Sequence, residues 1–275
     1  MTGPPAPGLY VVATPIGNLG DLSERAAAVL RSASIVAAED TRTSKVILTR
    51  SGSSARLLSL TEHNVVQRTP ELLEAARSGV VALVSDAGTP IIADPGARLV
   101  RAAHAAGVAV LPVPGPSALA AAISVAGFEG SDVHFIGFLP RARGERITRL
   151  RTAAEGAEVL VFFESPGRLG KTLADIAEAL ADPEVVVCRE LTKIHEEVLP
   201  GRASELAARF ETTRGECTVV VQVPQKKASS LSSVAPEALL GAMKRAGARR
   251  SVAAGEVAAL TGAVRGDLYE LWESL

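Results

Sequence analysis

The chain has 275 residues, 29 basic and 30 acidic side chains, a net charge of −1, and 47% hydrophobic residues against 3% aromatic. That length holds one large domain or two of ordinary size, and the near balance of charge excludes a cationic coat while leaving room for a local basic patch. Two distant cysteines, Cys188 and Cys217, and four scattered histidines exclude a disulfide framework and argue against a structural metal; both thiols read as small apolar core residues.

The opening MTGPPAPG has no basic and apolar segments of a signal peptide, and the apolar-leaning Ala102–Gly127 is broken by Pro112, Pro114 and Pro116, so no membrane span is expected. A cytoplasmic, reduced protein is the expectation. A buried strand at Leu9–Ala13 is followed by TPIGNLGDLS and a helix opened by Ser23-Glu24, with Ala26, Val29, Leu30 and Ala33 on one face. The alternation continues with strand Ile35–Ala38, helix Thr43–Thr49, strand Arg56–Leu60, helix Thr69–Ser78, strand Val80–Ser85, helix Gly96–Ala106 and strand Val108–Pro112. Pro114-Gly115-Pro116 marks a break. A second series follows: helix Ser117–Val125, strand Val133–Phe138, helix Gly144–Ala154, strand Glu158–Phe163, helix Gly167–Leu180 and strand Val185–Arg189. Ile194–Leu199 and Thr218–Val223 read as paired strands flanking a helix at Ala203–Phe210. The expected architecture is α/β, with an open, largely parallel sheet first and some antiparallel pairing in the second half. The expected divisions are residues 8–116 and 117–224, a Ser-rich linker at 225–236, and a helical tail at 237–275. Within the tail the chain breaks at Ala246-Gly247 and turns at Thr261-Gly262 and Arg265-Gly266, with Tyr269 and Trp272 as docking anchors.

Ligands of open α/β sheets sit beyond the carboxyl ends of strands. Three loops fit that rule: ATPIGNLGD, SDAGTPIIADPG and PVPGPSA. None contains GxGxxG or a P-loop, so a phosphate grip is unsupported, and a ligand with a flat base and small polar groups fits better. Gly88 and Gly115 permit close backbone approach, Thr89 and Ser117 offer hydroxyls, and Asp86 and Asp94 accept hydrogen bonds or face a cation. The plainer reading makes these ordinary turns, with Asp94 capping the helix at Gly96.

LYVVATPIGNLGDLSERA, AAEDTRTSKVIL, LVSDAGTPIIADPGARLV, PVPGPSAL, GFLPR, VFFESPGRL and RELTKIHEEV, in this order from Leu9 to Val223, resemble the motifs of one family. It is the 16S rRNA ribose 2′-O-methyltransferases of the tetrapyrrole methylase fold, which modify a decoding-centre cytidine. The resemblance implies two α/β/α domains of the class III methyltransferase type, here with a small C-terminal helical appendage. It also implies S-adenosylmethionine as cofactor in the cleft between the domains, a homodimer, and 16S rRNA within a small ribosomal subunit as partner. Pro15, Ser85, Asp86, Ala87, Gly88, Thr89, Pro90 and Asp94, with Pro114, Gly115, Ser117 and Ala118 of the PGPSA loop, would then bind the cofactor; no metal is expected. Two departures stand out. FFESP continues Gly167-Arg168-Leu169, where the family suggests histidine before arginine, and the strand at 216–221 begins Glu216-Cys217, where an apolar start is usual. Neither falls in the expected cofactor loops.

Methyl transfer from a sulfonium is an in-line displacement, so the protein aligns a hydroxyl with the methyl group and provides for the departing proton. Glu39, Asp40 and Arg42 at a strand end and Lys193 in RELTK are the catalytic candidates, with Glu190 and Glu164 as further possible bases; the residue types do not choose among them. Structural readings stand beside these: a self-contained helix start with Asp40 or Thr41 as cap, an ion pair between Glu164 and Arg168, and Lys193 as an ion-pair partner of nearby glutamates. Arg141, Arg143, Arg146, Arg149 and Arg151 crowd eleven residues against one Glu145. With Arg42 and Arg168, the first four are candidate RNA-phosphate contacts, Arg143, Arg146 and Arg149 sharing a helix face; the alternative is a solvated face. Two other functions fit less of the sequence: carbon methylation of a corrin or porphyrin precursor, and a non-catalytic ribosome-associated binding protein.

Overall fold

Runs such as VVALV and VLVFFE lack polar alternation, the pattern of strands covered on both faces. The computed structural model describes residues 3–210, 214–224 and 235–275. Residues up to Val223 form one unit and those from Pro224 a second.

The first unit contains two five-stranded sheets. The first is built from β1 (Gly8–Val12), β2 (Ala33–Ala38), β3 (Arg56–Ser59), β4 (Val80–Val84) and β5 (Val110–Val113), in the order β3-β2-β4-β1-β5, with every neighbouring pair parallel. Successive side chains divide between its faces. Tyr10, Val12, Val36, Ala38, Ala82 and Val84 pack against α1 (Glu24–Ser32) and α2 (Thr41–Ser51). Leu9, Ile35, Ala37, Val81 and Leu83 pack against α3 (Val65–Ser78) and α4 (Ala97–Ala105). Each fully buried leucine contributes roughly 1.5–3 kcal/mol. Because the strands run one way, the loops after β1, β2, β4 and β5 emerge along one edge. Helix α3 begins four residues before the expected Thr69: the Asn64 side chain accepts from the Thr61 amide and donates to the Ser59 carbonyl, which turns the chain early and leaves Pro70 in the second helical turn.

The second sheet holds β6 (Val133–Phe138), β7 (Val159–Glu164), β8 (Glu184–Arg189), β9 (Glu197–Arg202) and β10 (Cys217–Gln222), in the order β6-β7-β10-β8-β9. Helix α5 (Ala118–Ala126) covers one face through Ala122. Helices α6 (Arg143–Ala154), α7 (Leu169–Ala179) and α8 (Ala203–Arg209) cover the other with Leu150, Leu169, Leu173, Ile176 and Leu206. The last two strands do not pair with each other as the sequence suggests. β10 inserts antiparallel between β7 and β8, and β9 pairs with β8 at the edge. Residues 217–221 are buried throughout and need a central slot. β9 alternates, and its Pro200, which has no N–H to give, belongs on an edge.

The second unit packs α9 (Pro236–Arg245), α10 (Arg250–Thr261) and α11 (Arg265–Ser274) around Leu240, Ala253, Ala254, Val257 and Leu268. Tyr269 and Trp272 pack half-buried against this core, with Arg250 over the Tyr269 ring at 4.8 Å and Lys244 over Trp272 at 5.4 Å. The chain turns at Gly262 as expected, but Arg265-Gly266 opens α11 and is not a turn. Most of the expected linker, residues 225–234, lies outside the described residues. No helix among the described residues is long and apolar enough to cross a membrane.

Candidate active site

The loop after β4 is fixed by hydrogen bonds that its own small residues make. Thr14 and Gly88 exchange amide-to-carbonyl bonds of 2.9 and 3.0 Å, and the Thr14 hydroxyl donates to the Ser85 carbonyl at 3.3 Å. The Ser85 hydroxyl donates to the Ala87 and Gly88 carbonyls, both at 3.2 Å. The Thr89 hydroxyl donates to the Pro116 carbonyl at 3.1 Å, tying this loop to the one after β5. Gly88 has φ of +78°, and a Cβ there would lie 3.2 Å from Ile16 Cγ2, so glycine alone keeps this wall flush.

Opposite stands the edge of the second sheet. Antiparallel insertion sets the start of β10 against the end of β7, with Cys217 across from Glu164 and Thr218 from Phe163. Gly137, with φ of +65°, makes a bulge in β6 so that three of its residues span two of β7. That shift brings Phe138 to the same side as Phe135, and both rings meet Phe163 edge-on at 5.7 and 5.0 Å. Phe138 is nonetheless 56% exposed.

Between these walls lies a cleft of about 380 Å³. From the first half it is lined by Ile16, Asp86, Ala87, Gly88, Thr89, Ile92, Ala93, Asp94, Ser117 and Ala118. The second half contributes Phe138, Phe163, Glu164, Ser165, Pro166, Glu216, Cys217 and Thr218. Of the residues expected to bind the cofactor, Pro15, Ser85, Pro90, Pro114 and Gly115 do not line it; Ser85 shapes the loop, and Gly115 packs on Ala13. Glu216 and Cys217, a departure that seemed remote from these loops, face them across the cleft. The aromatic wall has a sequence signal in GFLP and FFESP, but only sheet order brings those motifs opposite SDAGTP.

Four lining residues carry carboxylates, and no Lys or Arg lines the cleft among the described residues. Glu164 is buried, accepting from the Thr172 hydroxyl and the Ser165 amide, each at 2.7 Å, and pairing with Arg168 at 3.3 Å. Asp94 is half-buried and does not cap α4, whose first turn has no side-chain cap. Burial, then the charges of Glu39 and Asp86, push its carboxyl up to about 6. Partial burial, then Asp86, Asp40 and Glu62, raise Glu39 as well. Cys217 is a buried free thiol pushed up to about 11 by burial.

The other candidates fall into two groups. Asp40 caps α2 and is held by Arg42, whose side chain donates at 3.1 and 2.7 Å; those bonds lower its carboxyl to about 2 and make it a poor base. The Asp40 amide also donates to Asp86 at 3.0 Å. Lys193 bonds Glu190 at 2.8 Å and Glu216 at 3.1 Å; burial lowers its pKa, but these bonds outweigh burial and raise it, so a neutral lysine base does not fit. Gly17 lies against Lys193, and the Asn18 amide donates to the Thr192 hydroxyl at 3.0 Å, joining the loop after β1 to the second half.

Helix α6 corrects the expected arginine face. Arg146, Ile147, Leu150 and Ala153 form its buried stripe, so Arg146 points inward. Its guanidinium reaches Asp175 of α7 at 2.7 and 2.5 Å and donates to the carbonyls of Pro140 and Arg141. Arg143 binds the same Asp175 at 3.0 Å and pairs with Glu178, and Arg168 donates to the carbonyls of Leu139 and Pro140. Arg141, Arg149 and Arg151 are exposed and make no ion pair among the described residues. A second hollow, about 510 Å³, runs along α2 to the following turn, lined by Thr41, Arg42, Lys45, Thr49, Ser53 and Ser54 over Leu48, Ala55 and Leu57. No group of three or more His, Cys, Asp or Glu suited to a metal ion occurs among the described residues.

The sequence pattern of the Tetrapyrrole (Corrin/Porphyrin) Methylases matches residues 8–207. Similar proteins include ribosomal RNA small subunit methyltransferase I of Mesorhizobium japonicum, 42% identical over 271 residues, which are 97% of this chain and 91% of that protein. The protein of the same name from Thermotoga maritima is 46% identical over 216 residues, 78% of this chain and 97% of that one. Among solved structures, uroporphyrin-III C-methyltransferase from Thermus thermophilus complexed with S-adenyl homocysteine aligns over 78% of this chain and 96% of its own. Its TM-score is 0.55 at 21% identity, a likeness of fold alone.

Proposed function

The chain belongs to the tetrapyrrole methylase family and, within it, to the small-subunit ribosomal RNA methyltransferases, and we propose that it methylates the 2′-oxygen of a cytidine ribose in 16S rRNA. S-adenosylmethionine is the methyl donor, a substrate consumed at each turnover rather than a resident cofactor. The observation that carries the reading of the cleft is its lining: four carboxylates, two phenylalanines, a flush glycine wall and no cation among the described residues. Such a lining suits a cationic sulfonium joined to a flat base and disfavours a phosphate. The volume lies within the roughly 300–1,000 Å³ of small-molecule sites. Asp86, Gly88, Thr89, Ser117 and Ala118 face the donor in this reading, and the phenylalanines offer faces for a base.

The RNA side of the reaction rests on a separate surface. The α2 hollow begins at Thr41, one residue after Asp40, whose amide holds Asp86 at the cleft. A strand whose target ribose enters the cleft runs its phosphates past Arg42 and Lys45 and the serine and threonine hydroxyls, with Arg141, Arg149 and Arg151 as further phosphate contacts. Transfer itself is in-line, and the protein's part is to align the 2′-hydroxyl with the methyl carbon and exclude competing water. Carbon methylation of a tetrapyrrole has the broad family pattern and the fold behind it, but the relatives that are 42% and 46% identical are ribosomal RNA methyltransferases, so it is not carried forward. A homodimer, implied by the resemblance, is checked by sedimentation equilibrium.

The test is methyl transfer from labelled S-adenosylmethionine to small ribosomal subunits lacking the modification, with nuclease mapping of the label. Label on a cytidine 2′-oxygen is the expected result; label elsewhere, or none, overturns the reading. Assembled subunits are expected to be better substrates than naked RNA, whose folded shape is incomplete, and equal rates on the two exclude that preference.

A further inference from the structure

Three of the chain's six phenylalanines meet where β6 and β7 end, in a protein that is only 3% aromatic. Val133 and Phe135 of β6 pack toward α5, and Ile136 packs toward α6, α7 and α8. Regular alternation would send Phe138 to the face of Ile136, into the core. The bulge at Gly137 reverses that assignment: Phe138 takes the side of Phe135, and Leu139 fills the core position. A Cβ at Gly137 would meet nothing within 4 Å, so the glycine serves the backbone turn, at φ of +65°, and not a tight fit. The fold thus takes a large apolar ring out of the core and leaves it largely exposed at the cleft. Bulges beside active sites re-aim side chains in this way.

The three rings differ in what they have left to offer. Phe163 is half-buried, with Phe135 and Phe138 both edge-on to it. Phe135 is half-buried too and does not line the cleft. Phe138 meets only Phe163 among the rings of the described residues, and the rest of its surface is open to the cleft and to solvent.

We propose that Phe138 is the platform on which the base of the target nucleotide stacks when its ribose enters the cleft. This rests on the reading of the protein as a ribose methyltransferase. The base hangs from C1′, next to the C2′ whose oxygen is methylated, so a 2′-oxygen brought to the methyl carbon brings its base with it. A base drawn out of the RNA loses its stacking neighbours, and an aromatic ring replaces one of them. The first wall offers the donor loop backbone and small side chains, at Gly88, Thr89, Ser117 and Ala118, so the rings stand on the side left to the acceptor. The carboxylates of the lining disfavour a phosphate, whereas cytosine is neutral and its exocyclic amine donates hydrogen bonds. The base is therefore the part of the nucleotide that this lining accepts.

The test measures kcat/KM for undermethylated small subunits in wild type, Phe138→Ala, Phe138→Leu and Phe138→Trp, with S-adenosylmethionine affinity by calorimetry. Stacking of one base on an aromatic side chain is worth roughly 5–150-fold. Phe138→Ala should lose that much in kcat/KM and keep donor affinity within about threefold. Leu restores apolar bulk without a π face and should recover little, while Trp should recover most of the loss. The fluorescence of Phe138→Trp, less that of the wild type's single Trp272, should be quenched by small subunits in the presence of S-adenosylhomocysteine but not by S-adenosylhomocysteine alone. Wild-type rates in Phe138→Ala, or full recovery with Leu, overturn the proposal. So does a loss of donor affinity that matches the loss of rate, or quenching by S-adenosylhomocysteine alone, either of which gives the ring to the donor. A wild-type protein that binds the donor but methylates no RNA overturns the functional reading and the platform with it, whereas an active wild type with an equally active Phe138→Ala overturns the platform alone.

Discussion

The two halves of the first unit give the cleft different materials. The all-parallel sheet contributes mainly loop backbone and small side chains, at Ala87, Gly88, Thr89, Ser117 and Ala118, set by hydrogen bonds within and between its loops. The mixed sheet contributes larger side chains held by strand register: Phe138 through a bulge, Phe163 and Glu164 at the end of β7, Glu216 and Cys217 at the start of β10. A wall made of turns is written in adjacent residues, and a wall made of strand ends depends on which strands become neighbours. Changes in the first half should therefore alter donor binding with modest loss of fold, while changes behind the second wall should reach the core.

The largest effect sharpens that contrast within one helix. Arg146 and Arg149 lie one turn apart on α6, yet the first is buried against Asp175 and the second is exposed. Arg146→Ala leaves the Asp175 carboxylate buried with only Arg143 beside it and should cost roughly 3–5 kcal/mol of unfolding free energy. Arg149→Ala should stay within about 0.5 kcal/mol of wild type. Urea denaturation of both variants measures the difference, and equal losses would mean that the buried pair does not anchor α6 to α7.

On the first wall, Gly88→Val forces a β-branched residue to φ of +78° with its Cβ 3.2 Å from Ile16 Cγ2. The strain should cost about 1–3 kcal/mol, leaving a folded protein, while S-adenosylmethionine affinity falls on the order of tenfold or more. Calorimetric titration of the folded variant reads this directly, and undiminished affinity would move the donor site elsewhere.

Asp94→Asn breaks the comparison in a subtler way, through stability. Folding raises the Asp94 carboxyl from 3.8 to about 6, so the folded state holds that proton more tightly than the unfolded chain. The associated stability is present in full below pH 4 and is lost as pH rises through about 6. Asn carries no such proton. Relative to wild type, the variant should therefore gain melting temperature between pH 4 and 6 and hold that gain constant above, as thermal unfolding across that range will show. A difference independent of pH would mean that the carboxyl titrates at its ordinary value.

What the sequence made legible follows the same division. The βα alternation, the doubly covered sheets and the SDAGTP turn rest on local signals: apolar runs of strand length, Gly and Pro after them, and Ser23 or Ser117 as caps. Pairing of the last strands was not legible, because two apolar segments separated by a short helix look like neighbours, and only the continuous burial of β10 against the alternation of β9 separates a central slot from an edge. Arg146 misled for a related reason. It lies four residues before Leu150 and seven before Ala153, on the apolar stripe, and its partner Asp175 is 29 residues away on another helix. Asp94 was legible as a ligand-facing carboxylate in its loop, but its raised proton affinity comes from burial beside Glu39 and Asp86, which no sequence spacing encodes.

The smallest expected effect concerns the α2 hollow, where a single exposed cation is removed from the surface. Lys45 makes no ion pair among the described residues, so Lys45→Ala should leave stability within about 0.5 kcal/mol and donor affinity unchanged. If its ammonium neutralises one phosphate of a single-stranded segment, the slope of log affinity for small subunits against log salt should fall by about 0.7. Arg149→Ala offers an independent comparison on α6, and the two losses should add if both cations touch the RNA but share no partner. A slope that changes for Arg149→Ala alone would route the strand over α6 and leave the α2 hollow as ordinary solvated surface.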